Sequence, residues 1–135
     1  MKKILIVDDD IQITDLIKRI LEKRYSVITA NSGTKATEMM RSTNLDLVIT
    51  DMVMPDKDGI QILQLNRKSE KQIPIIIMSG HPVGKKFLDT SSLLGAVGSL
   101  SKPFTLESLL LAVEKALIPH GLPGSPRRRI RKIGR

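Results

Sequence analysis

The residues of this chain that could do chemistry are polar side chains that directly follow short apolar runs. Leu47, Val48 and Ile49 form one such run, which is typical of a strand buried on both faces of a parallel sheet. Because a carboxylate is costly inside such a sheet, Asp51 should lie where this strand opens to solvent. Similar runs end at other polar side chains, namely Asp8 and Asp9, Ser79, and Lys102.

If these five side chains lie together, their chemistry suits phosphoryl transfer to an aspartate. Three neighbouring carboxylates repel one another and retain protons unless a cation lies among them. Oxygen ligands without Cys or His favour Mg²⁺ over Zn²⁺, and Mg²⁺ is typically bound by one or two carboxylates together with phosphate oxygens. Lys102 could pair with Asp51 at rest and with a phosphoryl group later, and Ser79 offers that group a hydroxyl. These parts are the ones that phosphoryl transfer to a carboxylate nucleophile requires.

The positions of these side chains depend on the strands and helices predicted around them. Five strand-like segments each precede a segment with helical periodicity, of which the fourth, residues 84–94, is weak. This alternation predicts a doubly wound α/β fold with a five-stranded parallel sheet and helices on both faces. The C-terminal ends of its strands then meet at one edge, where the five polar residues should gather. The predicted strands cover residues 4–7, 25–29, 45–50, 75–78 and 96–100.

Two helical segments show clear apolar faces. In the first, Ile13, Ile17, Ile20 and Leu21 fall on one side, opposite charged residues. In the last, Thr105 is a candidate N-cap. The side chains of this last helix that we expect to face inward are Leu106, Leu109, Leu110, Val113 and Leu117.

Length and composition limit the class of protein. At 135 residues we expect one domain, and 41% hydrophobic content with only 2% aromatic residues predicts a core of aliphatic side chains and methionine. The absence of Cys excludes a disulfide scaffold, a thiolate metal site and a Cys nucleophile. No apolar run approaches the roughly 18 residues of a membrane span, and Ile4 to Val7 is shorter than the about 7–15 residues of a secretory signal. We therefore expect a cytoplasmic protein with no membrane contact.

The net charge of +8 belongs mostly to the C-terminal end. Six of the 22 basic residues and none of the 14 acidic ones lie in residues 121–135, which leaves 16 basic and 14 acidic residues before them. We expect a folded domain over residues 1–118 and a basic, disordered tail or linker over residues 119–135. Contact of the tail with nucleic acid or an acidic partner is an alternative, weakened by its lack of aromatic residues for base stacking. The tail could also be a vector-derived remnant, or lead to an output domain outside this chain.

Four segments resemble, in order and spacing, those of the receiver domains of bacterial two-component response regulators. They read ILIVDDD, LVITDMVMPDKDG, PIIIMSG and SKPF, and the resemblance covers residues 1 to about 118. No single segment is decisive, but four in this order are highly specific. The resemblance implies the flavodoxin-like strand order 2-1-3-4-5 that chemotaxis members of this family share.

The resemblance implies a role for each acidic residue. Asp51 would be the phosphoacceptor. Asp9 and Asp51 would bind Mg²⁺ directly, with Asp8 acting partly through water. The backbone carbonyl of Val53 would be a third ligand.

The resemblance also implies the reaction and the partners. The phosphoryl group would come from a phosphohistidine on a histidine kinase or histidine phosphotransfer protein, and a downstream output protein or domain would receive the signal. Ser79 would close on the phosphoryl group, Lys102 would contact it, and the Lys102–Pro103 peptide bond would be cis, for which X-Pro is the only common context. The chain would then be a signalling domain that assists its own phosphorylation and dephosphorylation, and not an enzyme acting on other substrates.

One position departs from the family pattern. Family members often carry an aromatic residue three positions before the lysine, and its inward rotation reports phosphorylation. This chain has Ser99 there, preceded by Gly98. We therefore expect the usual packing switch on the fifth strand to be absent.

Other interpretations of the same residues stay open. Asp8 to Asp10 could simply cap the first helix, and Asp51, Ser79 and Lys102 could be ordinary residues at strand ends. We favour the functional interpretation because all of them occur together with the family spacing.

Two other functions also stay open. An aspartyl-nucleophile phosphatase of the haloacid dehalogenase type is disfavoured, because that family has a second Asp where this chain has Val53. A receiver-like module that binds partners without being phosphorylated is the other alternative, and the complete acidic pocket with Lys102 argues against it.

Overall fold

Five parallel strands form a single sheet in the computed structural model, which describes residues 1–80, 92 and 94–118. The strand order is β2-β1-β3-β4-β5, and each neighbouring pair is parallel. The predicted fold class and strand order are therefore confirmed. The strands are β1 (Lys3–Val7), β2 (Ser26–Ala30), β3 (Leu47–Asp51), β4 (Ile75–Ser79) and β5 (Gly98–Ser101).

Four helices lie within the described ranges, and each begins after a side chain that accepts a hydrogen bond from a backbone amide. The caps satisfy amides that have no partner in the first helical turn. Thr105 caps the last helix by accepting from the amide of Ser108, as predicted. The weak helix predicted over residues 84–94 lies almost entirely outside the described residues. The helices are α1 (Ile11–Leu21), α2 (Gly33–Ser42), α3 (Gly59–Lys68) and α4 (Leu106–Ala116).

Two hydrophobic cores cover the two faces of the sheet. Successive residues of a strand point to opposite faces, so Leu5 and Val7 of β1 join the core that includes residues of α2 and α3. Ile4 and Ile6 join the core that includes residues of α1 and α4. The helices therefore pack on both faces of the sheet, as the alternation of strand and helix predicted.

One residue of the predicted inner face of the last helix is exposed. Leu109 and Val113 are fully buried, but Leu106 is 55% exposed, so the prediction that it faces inward is wrong. Leu106 lines a cavity of about 280 Å³ between α1 and the start of α4. The first turn of α4 is therefore not packed into the core, although Leu106 continues the spacing of the apolar residues along this helix.

The predicted strand boundaries differ from the observed ones by one or two residues at most ends. β5 begins at Gly98 and not at residue 96, and β3 extends one residue beyond its prediction, to Asp51. Among the residues described, no helix is both long and apolar enough to cross a bilayer.

Candidate functional site

The five polar residues singled out in the sequence all lie at the C-terminal ends of strands. Asp8 directly follows β1, and Asp51 and Ser79 are the last residues of β3 and β4. Lys102 directly follows β5, and its amide donates a hydrogen bond to the carbonyl of Ser79 at 2.7 Å. Because all five strands are parallel, these ends meet at one edge of the sheet, where open α/β sheets bind their ligands.

Lys102 joins the aspartates of two strands. Its Nζ lies 2.7 Å from Asp8 Oδ2 and 3.2 Å from Asp51 Oδ1. Burial, the largest single effect, works to lower the pKa of Lys102, but hydrogen bonds and charge interactions with the two carboxylates outweigh it and raise the pKa. Lys102 therefore stays protonated, and it loses its own charge only at alkaline pH.

The Asp51 carboxylate is buried, with the residue 8% exposed, and within the described residues its contacts are made by one oxygen. Oδ1 accepts a hydrogen bond from the Met52 amide at 3.0 Å in addition to the contact with Lys102. No donor to Oδ2 occurs among residues 1–80, 92 and 94–118. Burial first and the charge of Asp8 second raise the pKa of Asp51, against the lowering effects of Lys102 and Met52. An additional positive charge would therefore be favourable here.

A cluster of three carboxylates supplies the ligand set for such a charge. Asp8, Asp9 and Asp51 each offer an oxygen, and these oxygens lie within 4.8 Å of one another. Asp8 is 1% exposed, whereas Asp9 is exposed to solvent. Three carboxylates and the single ammonium group of Lys102 leave a deficit of two positive charges, which one divalent cation would supply. The oxygen-only donor set fits a hard cation such as Mg²⁺.

The loop that follows β3 passes close to Asp51. The amide of Gly59 donates to the carbonyl of Met52 at 2.8 Å and closes the loop. A Cβ at Gly59 would lie 2.8 Å from the carbonyl oxygen of Asp51, so a larger residue would push the loop away from the strand. Val53, predicted as a backbone ligand, lies in this loop two residues after Asp51, with 67% of its surface exposed.

The remaining residues from the sequence analysis lie close by. Ser79 is 4% exposed at the end of β4, beside the strand that carries Lys102. The Lys102–Pro103 peptide bond is cis, as the resemblance implied. Ser99 occupies an exposed position in β5, without the aromatic side chain that many family members carry there.

The helix-capping alternative applies to Asp10 and not to its two neighbours. Asp10 accepts from the amide of Gln12 at 2.9 Å and caps α1. Asp8 instead accepts from the amide of Asp10 at 2.9 Å through Oδ1, which leaves Oδ2 to Lys102. The capping role and the acidic cluster are therefore divided among three consecutive aspartates.

The sequence analysis missed two other roles of acidic residues. Asp58 and Gln61 form a capping box at the start of α3, and the D-x-x-Q spacing was a usable signal for it. Asp56 accepts hydrogen bonds from the amides of Gly33 and Thr34, at 3.1 Å and 2.9 Å, more than twenty residues away. No local pattern could have revealed these long-range contacts.

A separate cavity of about 550 Å³ lies between the C-terminal ends of α2 and α3. Its lining includes Arg41, Asn66 and Lys71, and none of the five polar residues of the site. In a parallel α/β sheet the C-terminal ends of the helices lie at the opposite edge from the C-terminal ends of the strands. This cavity is therefore separate from the acidic cluster.

The fold and the site define a class of protein: a flavodoxin-like α/β domain with an acidic cluster and a lysine at the carboxyl edge of its sheet. The family model described as "Response regulator receiver domain" matches residues 4–114. The chain belongs to this family, the receiver domains of two-component response regulators.

Curated relatives agree with this assignment. The chain is 35% identical over 118 residues to sporulation initiation phosphotransferase F of Bacillus subtilis, covering 86% of this chain and 94% of that protein. It is also 35% identical over 119 residues to the transcriptional regulatory protein CpxR of Escherichia coli, but covers only 50% of it while 87% of this chain is matched. The chain thus spans nearly all of one relative and about half of another.

Solved structures show the same fold. A response regulator receiver domain protein from Clostridium thermocellum superimposes with a TM-score of 0.76 at 35% identity, covering 87% of this chain and 94% of that one. The chemotaxis protein CheY4 of Vibrio cholerae gives a TM-score of 0.80 at 30% identity, covering 87% and 99%. These relatives support the family membership and the fold together.

Proposed function

We propose that this chain is a phosphoacceptor domain that accepts a phosphoryl group on Asp51 in a Mg²⁺-dependent reaction and signals by a change of conformation. The observation that carries the proposal is the contact of one lysine with two buried aspartates from different strands. Membership of the receiver family supports it further. The donor would be a phosphohistidine on a histidine kinase or histidine phosphotransfer protein.

The proposed metal ligands are the carboxylates of Asp9 and Asp51 and the backbone carbonyl of Val53, with Asp8 acting partly through water. The charge deficit of the acidic cluster and its oxygen-only donors support this assignment. When bound, the ion would neutralise negative charge on the incoming phosphoryl oxygens.

The chain's own groups would carry the transfer. A lone pair of Asp51 Oδ2, which has no hydrogen-bond donor in the described ranges, would attack phosphorus as the bond to the histidine nitrogen breaks. Lys102 would exchange its contact with Asp51 Oδ1 for a phosphoryl oxygen while keeping Asp8. The Ser79 hydroxyl would donate to a second oxygen. Catalysis of this kind relies on positioning and charge neutralisation.

Two exposed apolar side chains support contact with a protein donor. Ile11, the first residue of α1, is 59% exposed, and Val53 is 67% exposed. Ile11 lies two positions after Asp9, and Val53 lies two positions after Asp51. An apolar partner surface that covered them would exclude water from Asp51 during transfer.

The remaining assignments follow from this function. We propose a cytoplasmic protein, because its phosphohistidine donors act there, with a receiver domain over residues 1–118 and a tail or linker over residues 119–135. Val53 in place of a second acid supports a phosphoacceptor and not an enzyme that turns over other substrates. A downstream output protein or domain would read the phosphorylated state.

Phosphotransfer from a kinase tests the proposed function directly. Histidine kinases of the source organism, first autophosphorylated with labelled ATP, should transfer label to this chain, and the cognate kinase should do so fastest because its surface matches the site. Acetyl phosphate with Mg²⁺ should produce one shifted band in Phos-tag electrophoresis, and EDTA should prevent it. If neither the kinases nor acetyl phosphate label the chain, it is a partner-binding module and the proposal is wrong.

Magnesium should stabilise the fold. Because the uncompensated carboxylates repel one another, Mg²⁺ at about ten to one hundred times its dissociation constant should add about 1–3 kcal/mol to the free energy of unfolding. Thermal denaturation should show a melting temperature higher by several degrees. Asp9→Ala should remove this increase, because it deletes a proposed direct ligand.

A neighbouring aspartate provides the control for this measurement. Asp10→Ala removes the cap of α1 and lowers the melting temperature, but should leave the increase with Mg²⁺ intact. A wild-type protein whose melting temperature does not respond to Mg²⁺ would contradict the metal site.

A further inference from the structure

Asp56 belongs to the loop between β3 and α3, but its carboxylate binds the start of another helix. Oδ1 accepts from the amide of Gly33 at 3.1 Å, and Oδ2 accepts from the amide of Thr34 at 2.9 Å. These amides belong to the first turn of α2 and have no partner within that helix. The carboxylate therefore connects the site loop to a helix that precedes it by more than twenty residues.

The charge of Asp56 is well suited to this connection. Hydrogen bonds from the side chain of Thr34 first, and from its backbone amide next, hold the pKa of Asp56 well below its usual range. The partial positive charge at the N-terminus of a helix favours an anion at the same position. Asp56 is therefore ionised at neutral pH, the state in which its carboxylate oxygens accept both hydrogen bonds.

A close backbone approach shows that the loop lies tightly against α2. A methyl group on Gly33 would overlap the carbonyl oxygen of Lys57, which directly follows Asp56. The amide of Gly59 also donates a hydrogen bond to the carbonyl of Met52, which joins the two ends of the loop. The segment from residue 53 to residue 55 therefore lies between two attachments of the backbone, the end of β3 and Asp56.

Val53 lies in this segment, between the end of β3 and the contacts of Asp56. Its side chain is 67% exposed, so packing of its own does little to hold it. The next residue, Met54, is 6% exposed and belongs to a core cluster, which anchors the inner side of the loop. The orientation of the Val53 carbonyl is then set by the backbone on both sides of it.

We propose that Asp56 is a positioning residue for the metal site, which holds the β3–α3 loop against α2 and so directs the Val53 carbonyl toward the acidic cluster. This inference rests on the proposed function, in which that carbonyl is a metal ligand. Groups that orient a ligand typically change metal affinity by about 10–100-fold when they are removed. We expect the lower end of this range, because the Val53 carbonyl is a neutral ligand whose place can be taken by one of the waters that Mg²⁺ keeps.

Titration calorimetry with Mg²⁺, and electron paramagnetic resonance with Mn²⁺, should show affinity about tenfold lower in Asp56→Ala than in the wild type. Asp56→Asn retains one acceptor oxygen, so its Mg²⁺ affinity should lie between those of the wild type and Asp56→Ala. The rate of phosphorylation by acetyl phosphate should require about tenfold more Mg²⁺ to reach half its maximum. Its maximum should stay close to that of the wild type, because Asp51, Lys102 and Ser79 are unchanged.

Ser32→Ala is the matched control, because Ser32 is the other cap of α2. Its Oγ accepts from the amide of Lys35 at 3.1 Å, and among the described residues no hydrogen bond joins it to the loop. This variant should lose thermal stability in the way Asp56→Ala does, but should bind Mg²⁺ like the wild type. Asp56→Ala should fold, since the residue is exposed and Ser32 continues to cap α2.

Two results would overturn the inference alone. One is equal Mg²⁺ affinity in the wild type and in Asp56→Ala, and the other is an equal loss of affinity in Ser32→Ala. A wild-type protein that binds neither Mg²⁺ nor Mn²⁺ would instead overturn the proposed function, and this inference with it.

Discussion

Asp51→Asn is expected to abolish phosphorylation completely. An amide oxygen is a poor nucleophile, and in the proposed mechanism the two other carboxylates of the cluster are engaged, Asp9 with the metal and Asp8 with Lys102. Asp8 is 1% exposed and uses both oxygens, one for Lys102 and one for the amide of Asp10. After incubation with acetyl phosphate and Mg²⁺, Phos-tag electrophoresis should show a shifted band for the wild type and none for the variant.

The same variant should be more stable than the wild type without metal. Burial and the charge of Asp8 raise the pKa of Asp51 above its ordinary value of 3.8, so ionised Asp51 is less favourable in the folded than in the unfolded chain. Its cost to stability therefore grows as the pH rises from about 4 through the folded pKa, and is fully present above that pKa. Asp51→Asn should melt at a higher temperature at pH 7, and the difference should vanish at pH values well below 4.

Asp15→Asn is the control for both measurements. Asp15 is exposed on α1, and the same change of one carboxylate to an amide there should alter neither the shifted band nor the pH dependence. A shifted band that persists in Asp51→Asn would mean that another residue accepts the phosphoryl group.

Lys102→Met is expected to have the second largest effect, on stability and on phosphorylation together. It leaves the buried carboxylates of Asp8 and Asp51 without their shared counter-charge. Removing one partner of a fully buried ion pair costs about 3–5 kcal/mol. The side chain of Lys102 is 22% exposed, so solvent screening reduces the expected loss to about 2–3 kcal/mol at pH 7. Denaturant unfolding measures this loss in the free energy of unfolding.

The pH dependence of this loss follows from the pKa shifts. The pKa of Lys102 is raised by its carboxylate partners, so the loss of its own charge removes its contribution to stability only at alkaline pH. The deficit of Lys102→Met should therefore be large at pH 7. It should shrink as the pH falls through the raised pKa of Asp51, because protonated Asp51 no longer needs a counter-charge.

The effect on phosphorylation separates the two roles of Lys102. Loss of one group that stabilises transition-state charge typically costs about 10²–10³ in rate, and we expect a similar fall with acetyl phosphate at saturating Mg²⁺.

Mg²⁺ should raise the melting temperature of Lys102→Met more than that of the wild type, because the variant has a larger charge deficit. Lys23→Met, at an exposed position after α1, is the control. A Lys102→Met protein with wild-type stability and rate would show that the contacts contribute nothing.

Much of this architecture could be predicted from the sequence, because the signals are local. The apolar runs before Asp8, Asp51 and Ser79 predicted strands, since a buried parallel strand is a short continuous run of apolar residues. Alternation with helical segments predicted the parallel sheet, and a parallel sheet brings all strand ends to one edge. The positions of the polar residues along the chain were therefore enough to predict which edge of the fold carries them.

Other features required the folded chain, because they depend on how separate elements meet. Lys102 was predicted to pair with Asp51, but its shorter contact is with Asp8. The relative positions of the three strand ends decide which carboxylate lies nearer to Lys102. Leu106 continues an apolar stripe and is still exposed, since no part of the chain that the structure describes covers the first turn of α4.

The sequence by itself determined the strands, the fold class and the set of side chains at the carboxyl edge of the sheet, because burial and chain direction constrain each of these within a short stretch. Only the tertiary structure decided the partners of those side chains, and with them the pKa of Asp51 and the attachment of its loop to α2 through Asp56. Hydrogen bonds and charge interactions act over a few ångströms in space. The number of residues between two partners along the chain does not reveal whether they lie that close together.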